Sequence, residues 1–435
     1  MMDWSEQTRI VVTTSRGCEH ALAIELAALG FAPLPPDHPE APRFDAVALD
    51  GNLRDAMRIN LYSRIGHRVF FELAAFEARS ADELYAQTFD LPWELYLRHD
   101  RPFRWTSSVA DVPGMRDPRF AALRCKDAVA DRFVDRLGRR PDSQRQADGA
   151  ACLHVHWRRT EVHLYLDTTG RPLSMRGYRL NSWLAPVRET LAAAILVEAG
   201  FDPLRRRDAL LAPMCGSGTF AIEAALMAQN RASGLLREPD SFAFVHLADA
   251  PLDVWNDLRN EASAAVRFAP SAWIRATDIE PDAITCTLAN ARRAGVDRLI
   301  YARPCDFRLS ALPTPPALVV LNPPYGQRVG SRRALPRLYR ALGDWLQFSC
   351  ANFRTALLLA DPALADALTL RPPSRQLPLA NGPIDCRLLL YDPHEYAPLP
   401  QETQENPAPE ETPQAAAAPV SPAPSTATPA ADPTP

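Results

Sequence analysis

Strands and helices alternate along the second half of the chain, and this alternation limits the fold more than any other feature of the sequence. Apolar residues at helical spacing fill several of the stretches between strands, as at 281–294 and 334–350. Short apolar runs predict strands at 209–212, 273–277, 299–302, 317–321, 354–360 and 384–391. Such alternation favours an α/β fold, with an open, mostly parallel, doubly wound sheet and helices on both faces.

The first half of the chain predicts two small α+β units. In residues 9–63, strand-like runs flank a helix, and Asn52 is placed to cap the helix that follows it. In residues 67–168, a long amphipathic helix over 117–137 precedes two strands within 152–167 that a tight turn joins. The sequence therefore predicts two α+β units ahead of the α/β domain.

Composition separates the end of the chain from the rest. Hydrophobic residues make up 47% of the chain and charged residues 23%, which is typical of a globular protein and excludes a wholly disordered one. Residues 397–435 differ, because they hold 11 Pro, 10 Ala and no aromatic residue. A segment of this kind cannot bury enough apolar surface to offset its chain entropy, so we expect it to be disordered.

The sequence predicts a cytoplasmic protein without a metal site. No uncharged apolar run approaches the roughly 18 residues that a membrane helix needs, and the first residues lack the pattern of a signal peptide. None of the eight cysteines forms a Cys-x-x-Cys pair, which favours reduced thiols and no structural zinc. His154, His156 and His163 lie on the predicted hairpin, and we interpret them as solvated strand histidines in preference to a metal site.

Positive charge is concentrated in one part of an overall acidic chain. The formal net charge is −4, yet residues 101–180 hold 16 basic and 9 acidic side chains. A basic stretch inside an acidic protein suggests a surface for a polyanion such as a nucleic acid. A solvated helix face explains the same pattern without any partner, so charge alone leaves both interpretations open.

A glycine-rich turn follows the first predicted strand of the α/β domain and opens a helix. Glycines at such a turn let the backbone approach a ligand, and the helix N-terminus favours a carboxylate or phosphate group. No Lys follows in the position that a phosphate-binding P-loop requires. The run predicted to bind a cofactor is Pro213-Met214-Cys215-Gly216-Ser217-Gly218-Thr219. Within this run we interpret Cys215 as a packing residue, because no base is evident to activate it as a nucleophile.

Acidic residues follow the next two strands. Asp278 comes directly after the strand at 273–277 and is followed by Ile279. A carboxylate at this position can accept hydrogen bonds from ribose hydroxyls. The alternative for Asp278 is an N-cap of the helix that begins at Pro281. Asp306 follows the next strand, where it could hold an adenine amino group, or could be an ordinary loop aspartate.

The run Asn322-Pro323-Pro324-Tyr325 follows the apolar strand 317–321 and determines the functional prediction. An exocyclic amine on a base is a poor nucleophile because its lone pair is delocalised into the ring. The side-chain carbonyl of Asn322 and the backbone carbonyl of Pro323 can both accept hydrogen bonds from such an amine. The two prolines fix the backbone, and Tyr325 offers a face for a base turned out of its stack. A proline turn capped by Asn is the structural alternative.

Taken together, these motifs resemble class I S-adenosylmethionine-dependent methyltransferases that methylate amino groups. More closely, the chain resembles the THUMP-domain RNA methyltransferases, in particular the 23S rRNA guanine-N2 methyltransferases of the RlmL type. Besides the glycine-rich turn and the Asn322–Gly326 run, the matching stretches are 176–179, 185–192, 222–225, 381–382 and 386–389. The resemblance covers about residues 8–392.

The resemblance implies a domain order and a role for each motif. It implies a ferredoxin-like domain at 1–65, an RNA-binding THUMP domain at 66–175, a methyltransferase domain at 176–396 and a tail at 397–435. The glycine-rich turn would hold the methionine part of S-adenosylmethionine, Asp278 its ribose and Asp306 its adenine. Asn322, Pro323, Pro324 and Tyr325 would hold the target guanine of 23S rRNA. No membrane and no metal are implied.

One residue departs from the family pattern. The family usually has Asp where this chain has Ala212, and losing that carboxylate would weaken cofactor binding by about 1–3 kcal/mol unless other groups compensate. Three alternatives to a 23S rRNA enzyme stay open on the sequence. They are a tRNA guanine-N2 methyltransferase, a DNA adenine-N6 methyltransferase, and a non-catalytic RNA-binding protein with a decayed methyltransferase fold.

Overall fold

The structure, a computed structural model, describes residues 3–42, 44–115, 117–141, 149–179, 186–204, 207–268, 273–314, 317–325 and 334–394. All of these residues belong to one compact unit. The predicted disordered tail, residues 397–435, lies outside the described residues, as do Ala185 and Gly326 of the matching stretches.

The N-terminal part builds one six-stranded sheet. Its strands are β1 Thr8–Thr13, β2 Ala46–Gly51, β3 Arg68–Glu77, β4 Phe103–Ala110, β5 Ala151–Arg158 and β6 Glu161–Asp167. Its helices are α1 Glu19–Ala28, α2 Leu53–Tyr62, α3 Ala81–Asp90, α4 Trp93–Tyr96 and α5 Pro118–Leu137. The strand order is β2-β1-β3-β6-β5-β4, with β4 parallel to β5 and the other neighbours antiparallel. The two predicted α+β units therefore share a single sheet, because β3 pairs with β1 on one side and β6 on the other.

Local signals explain where these elements begin and end. Asn52 forms a capping box with Asp55, in which each side chain accepts a hydrogen bond from the other residue's backbone N–H. The tight turn between β5 and β6 has Arg159 at φ 55°, in the left-handed region. Asp117 caps α5, and Gly138 in the left-handed conformation ends it.

The second part builds a seven-stranded sheet. Its strands are β7 Ala209–Pro213, β8 Ile274–Asp278, β9 Ile300–Pro304, β10 Ala317–Leu321, β11 Arg354–Leu359, β12 Arg375–Asn381 and β13 Ile384–Tyr391. Its helices are α6 Glu189–Glu198, α7 Thr219–Ala228, α8 Leu252–Ala264, α9 Pro281–Ala294, α10 Leu335–Phe348 and α11 Pro362–Ala365. The order is β12-β13-β11-β10-β7-β8-β9. Strands β7 to β11 run parallel to one another, and β13 pairs antiparallel with both β11 and β12. The predicted α/β fold is confirmed.

This topology locates the ligand-binding edge of the second sheet. Strand β7 comes first in the chain among the parallel strands, yet it lies in the middle, between β8 and β10. The strand order therefore reverses beside β7, and ligands of open α/β sheets bind at the carboxyl edge of such a reversal. The turns after β7, β8, β9 and β10 all lie at this edge.

The segment between α7 and β8 joins the two sheets. Trp255 of α8 packs edge-on against the buried rings of Phe242 and Phe244. The backbone N–H of Phe244 donates to the Thr168 carbonyl (3.2 Å), and that of Ala248 donates to the Tyr96 carbonyl (2.9 Å). The long spacing between the glycine-rich turn and Asp278 therefore comes from a segment that fastens the second sheet to the N-terminal one.

His154 and His156 are largely withdrawn from solvent, so the solvated interpretation was wrong for these two, whereas the His163 side chain is 34% exposed. His154 stacks on Phe70 with 4.7 Å between ring centroids, and His163 lies 2.7 Å from Glu72 through Nδ1. Burial lowers the pKa of His154 to about 3 and that of His156 to about 4, so both rings are neutral near pH 7. Within the described ranges, no three His, Cys, Asp or Glu side chains are grouped to hold a metal ion.

Three arginines of the basic stretch pair with carboxylates that lie outside it. Arg124 pairs with Asp82 (2.9 Å) and Arg132 with Glu94 (2.9 Å), both carboxylates lying before residue 101. Arg176 is buried against Glu223. The fold therefore supplies acidic partners from outside the stretch, and the excess charge read along the sequence overstates the free charge at the surface. Separately, no helix in the described part of the chain is long and apolar enough to cross a membrane.

Candidate active site

A cavity of about 840 Å³ opens at the carboxyl edge of the second sheet. Twelve of the fourteen predicted site residues line it: Met214, Cys215, Gly216, Ser217, Thr219, Asp278, Ile279, Asp306, Asn322, Pro323, Pro324 and Tyr325. The two others support it from behind, since Pro213 ends β7 and Gly218 precedes α7. Motifs separated by more than a hundred residues thus meet in one site.

The glycine-rich turn is held in shape by its neighbours. Gly216 donates its backbone N–H to Asp278 Oδ2 (2.9 Å), and Cys215 donates its own to the Thr277 carbonyl (3.0 Å). From α9, the Thr287 hydroxyl donates to the Gly216 carbonyl (2.9 Å) and the Asn290 amide donates to the Ser217 carbonyl (3.1 Å). The turn is therefore fixed before any ligand binds.

Two backbone conformations of this turn restrict its sequence. Met214 has φ 55°, a conformation that non-glycine residues adopt at a cost. Gly218 has φ 80°, and a Cβ atom there would lie 2.6 Å from Thr287 Cγ2. Only glycine fits between the turn and α9 at position 218, which explains this glycine by close packing in addition to any role toward a ligand.

Ala212 lies just before the turn, at a buried position of β7 that is 1% exposed. The hydrogen bonds that hold the glycine-rich turn in shape are made with Thr277, Asp278, Thr287 and Asn290. The shape of the turn therefore does not depend on a carboxylate at position 212.

The acidic residues lie where the sequence predicts them. Asp278 is not the N-cap of α9, since that position belongs to Glu280, which makes no side-chain capping bond. Asp278 Oδ1 instead accepts from the Glu280 backbone N–H (3.1 Å), while Ile279 is 67% exposed beside the cavity.

Asp306 combines the two interpretations that the sequence left open. It lines the cavity, and it also caps the turn at 307–309 by accepting from the Arg308 backbone N–H (2.9 Å). The Arg308 side chain donates to the same carboxylate through Nε (3.0 Å), and this hydrogen bond lowers the pKa of Asp306. Asp306 is therefore ionised near pH 7 and can accept a hydrogen bond from an amino group.

The run after β10 forms a stiff turn. The Tyr339 hydroxyl of α10, which is fully buried, donates to the Pro324 carbonyl (3.2 Å). The Pro323 carbonyl accepts no hydrogen bond from the part of the chain that the structure describes. Asn322 and Tyr325 are half-buried beside it at the cavity wall. Carbonyl acceptors and an aromatic ring are thus grouped on one rigid segment.

Sequence reasoning missed one wall of the cavity. The turn between β12 and β13 supplies Asn381, Gly382, Pro383 and Ile384 to the lining. Strand β12 contains Pro378, which weakens its strand pattern and is tolerated because β12 is an edge strand. The sequence held two signals for this wall, the Asn-Gly pair, which is a frequent hairpin turn, and the family resemblance of 381–382.

Cys215 behaves as a packing residue. Burial raises the pKa of its thiol to about 12, so the thiolate is not populated near pH 7. Its Sγ lies 3.5 Å from the Thr287 hydroxyl, within the same group of contacts that holds the turn. The cysteine fills space at the wall of the cavity and is not an activated nucleophile.

Three family models match the chain. A methyltransferase domain described as RMKL-like matches residues 176–389, an RlmL ferredoxin-like domain matches 9–70, and a THUMP domain matches 78–167. A curated relative, the ribosomal RNA large subunit methyltransferase K/L of Allochromatium vinosum, is 37% identical over 377 residues, which are 85% of this chain and 50% of the relative. The chain spans about half the length of the curated relatives it matches.

Solved structures share the fold over nearly all of their length. A protein of Listeria monocytogenes, described as a predicted N6-adenine-specific DNA methylase, is 28% identical with a TM-score of 0.77, and the match covers 89% of this chain and 97% of that one. A protein assigned as a methyltransferase and complexed with SAH is 23% identical with a TM-score of 0.79, and that match covers 91% of this chain and 100% of that one.

Proposed function

Because this chain belongs to the RlmL-like family of methyltransferases, we propose that it transfers a methyl group from S-adenosylmethionine to the exocyclic N2 of a guanine in 23S rRNA. The observation that carries the proposal is the meeting of two motifs in one cavity. The Asn322–Tyr325 turn and the glycine-rich turn approach it from neighbouring strands, β10 and β7. A methyl donor on one turn and an amine on the other would be adjacent.

The cavity suits S-adenosylmethionine in shape and in chemistry. Glycine-rich backbone at the start of α7 suits the methionine end, and the Asp278 carboxylate suits the ribose hydroxyls. Ile279 and Phe307 line the cavity with apolar surface beside the ionised Asp306, which together fit an adenine ring and its amino group. When bound, the cofactor supplies a methyl group activated by a positively charged sulfur.

The protein's own part in the reaction is positioning. Asn322 Oδ1 and the Pro323 carbonyl would each accept a hydrogen bond from the guanine amine. These two hydrogen bonds would hold the nitrogen closer to a tetrahedral shape and aim its lone pair at the methyl group. Tyr325 would stack on the base and Pro324 would keep the turn rigid. No histidine is among the described residues that line the cavity, so no dedicated general base is evident and the amine proton would leave to solvent after transfer.

The N-terminal domains would deliver the RNA. We assign residues 1–65 to a ferredoxin-like domain, 66–175 to a THUMP domain that binds RNA and 176–396 to the methyltransferase domain. The support is the family matches and the continuous six-stranded sheet that the first two domains share.

A substrate comparison tests the proposal. Purified protein with methyl-labelled S-adenosylmethionine is offered unmodified 23S rRNA, tRNA and duplex DNA separately, and nucleosides from each digest are identified by mass spectrometry. We expect N2-methylguanosine from 23S rRNA alone. N2-methylguanosine from tRNA or N6-methyladenine from DNA would contradict the proposed substrate, and no label in any of the three would contradict catalysis itself.

Thr287 should control cofactor binding through the glycine-rich turn. Thr287→Val keeps the shape of the side chain but removes the hydroxyl that donates to the Gly216 carbonyl. Leaving a buried carbonyl unpaired costs about 1–3 kcal/mol, so we expect the Kd for S-adenosylmethionine to rise about tenfold. Calorimetric titration measures the Kd, and kcat at saturating cofactor should stay near the wild-type value.

The matched control is Thr287→Ser, which keeps the hydroxyl and should bind the cofactor like the wild type. A Thr287→Val protein with an unchanged Kd would show that the turn holds its shape without α9.

A further inference from the structure

A second cavity, of about 320 Å³, lies beside the candidate active site. One wall comes from the N-terminal sheet and includes Ser15 and His67, and the other comes from the turn between β12 and β13. Arg188, Gly382 and Pro383 line both this cavity and the larger one. The two cavities therefore adjoin at these three residues, and the smaller one, called the side groove below, extends from the candidate active site toward the N-terminal sheet.

Arg188 stands at the junction of the two cavities. It immediately precedes α6, is exposed, and its guanidinium packs on the Gly382 backbone, so that a Cβ atom at 382 would lie 3.4 Å from Nη2. Its side chain forms no ion pair and no hydrogen bond with any described residue. The positive charge is held in place by packing and is not neutralised by a carboxylate.

Arginine charges act on His67, which lines the side groove. Burial first, and then the charges of Arg188, Arg176 and Arg68, lower the pKa of His67 to about 4. The neutral His67 ring lies 2.7 Å from the Thr190 hydroxyl through Nε2.

Two carboxylates line the side groove as well. Asp385 is paired with Arg16, and Asp45 is exposed at the rim. Neither one is paired with Arg188, so the junction itself remains available to an anion.

We propose that the side groove receives the RNA strand next to the methylated guanine, and that Arg188 binds the phosphate of an adjoining nucleotide. This inference rests on the proposed function. A base turned into the larger cavity stays attached to its backbone, which must leave the site through an opening. The side groove is such an opening, and it leads to the N-terminal domains proposed to deliver the RNA. A guanidinium that is not paired with any described carboxylate, such as that of Arg188, is well suited to bind a phosphate.

The test compares Arg188→Gln with the control variant Arg298→Gln. Arg298 is exposed, forms no ion pair among the described residues and precedes β9 at the opposite edge of the sheet. Binding of an unmodified 23S rRNA fragment is measured by fluorescence anisotropy between 50 and 200 mM salt. We expect Arg188→Gln to weaken RNA binding about tenfold at the low-salt end and to reduce the salt slope by about one, because one phosphate contact is lost. Arg298→Gln should match the wild type on both counts.

Two further measurements distinguish a phosphate contact of Arg188 from a change in the shape of the active site. The Kd for S-adenosylmethionine without RNA should be unchanged in Arg188→Gln, and Arg188→Lys, which keeps the charge, should keep the wild-type salt slope. An unchanged slope in Arg188→Gln, a lowered slope in Arg188→Lys, or a Kd for the cofactor raised tenfold in Arg188→Gln would overturn the proposal. The proposed function fails separately, when the wild type methylates no guanine in the substrate comparison.

Discussion

Replacing Asn322 with Ala is expected to lower the rate of methyl transfer by about 100- to 1000-fold while the Kd for S-adenosylmethionine stays within about twofold. The amide carbonyl is one of only two acceptors proposed for the guanine amine. Removing it leaves the Pro323 carbonyl as the single proposed acceptor, so the lone pair of the amine nitrogen stays delocalised into the ring of the base. Asn322 lies after β10 and is not among the residues proposed to hold the cofactor, so its loss should not affect cofactor binding.

Single-turnover methylation of 23S rRNA at saturating cofactor measures this effect without a contribution from product release. Asn322→Asp keeps an acceptor oxygen in place of the amide carbonyl and should lose less activity than Asn322→Ala. Asn256→Ala, at an exposed position of α8, should react at the wild-type rate. Methyl transfer by Asn322→Ala at the wild-type rate would remove Asn322 from the reaction.

The site was predictable where its signals are local. A strand followed at once by glycines and a helix, or by Asn-Pro-Pro-Tyr, has a shape that its own residues dictate, and strands such as 317–321 and 384–391 have the predicted bounds. Parallel strands then bring the motifs together at one edge without any further information.

What could not be predicted depends on contacts between distant parts of the chain. Thr287 and Asn290 look like ordinary positions of a helix, and only packing turns them toward the glycine-rich turn. The shared N-terminal sheet depends on β3 pairing with both β1 and β6, and periodicity does not reveal strand partners. The basic excess of residues 101–180 misleads because an acid such as Asp82 lies 42 positions from the Arg124 that it neutralises.

A buried ion pair should control how firmly the two sheets are joined. Arg176 and Glu223 are 1% and 0% exposed, with Nε and Oε1 2.8 Å apart. The Tyr178 hydroxyl also donates to Glu223 Oε1 (3.0 Å), and Arg176 Nη2 donates to the Arg64 carbonyl (2.6 Å). Glu223 belongs to α7, at the candidate active site, whereas Arg64 follows α2 in the N-terminal part. Through Arg176, the pair therefore connects the proposed methyltransferase domain to Arg64 of the proposed ferredoxin-like domain.

Glu223→Leu is expected to lower the free energy of unfolding by about 3–5 kcal/mol, because it leaves the Arg176 guanidinium buried without a counter-charge. The double variant Arg176→Met, Glu223→Leu should recover much of that loss, since it removes both charges and fills the same space. Urea denaturation followed by tryptophan fluorescence measures both. Asp82→Asn breaks the Arg124–Asp82 pair, in which Asp82 is 93% exposed, and should leave the urea midpoint unchanged. A Glu223→Leu midpoint equal to that of Asp82→Asn would mean that packing alone joins the two sheets.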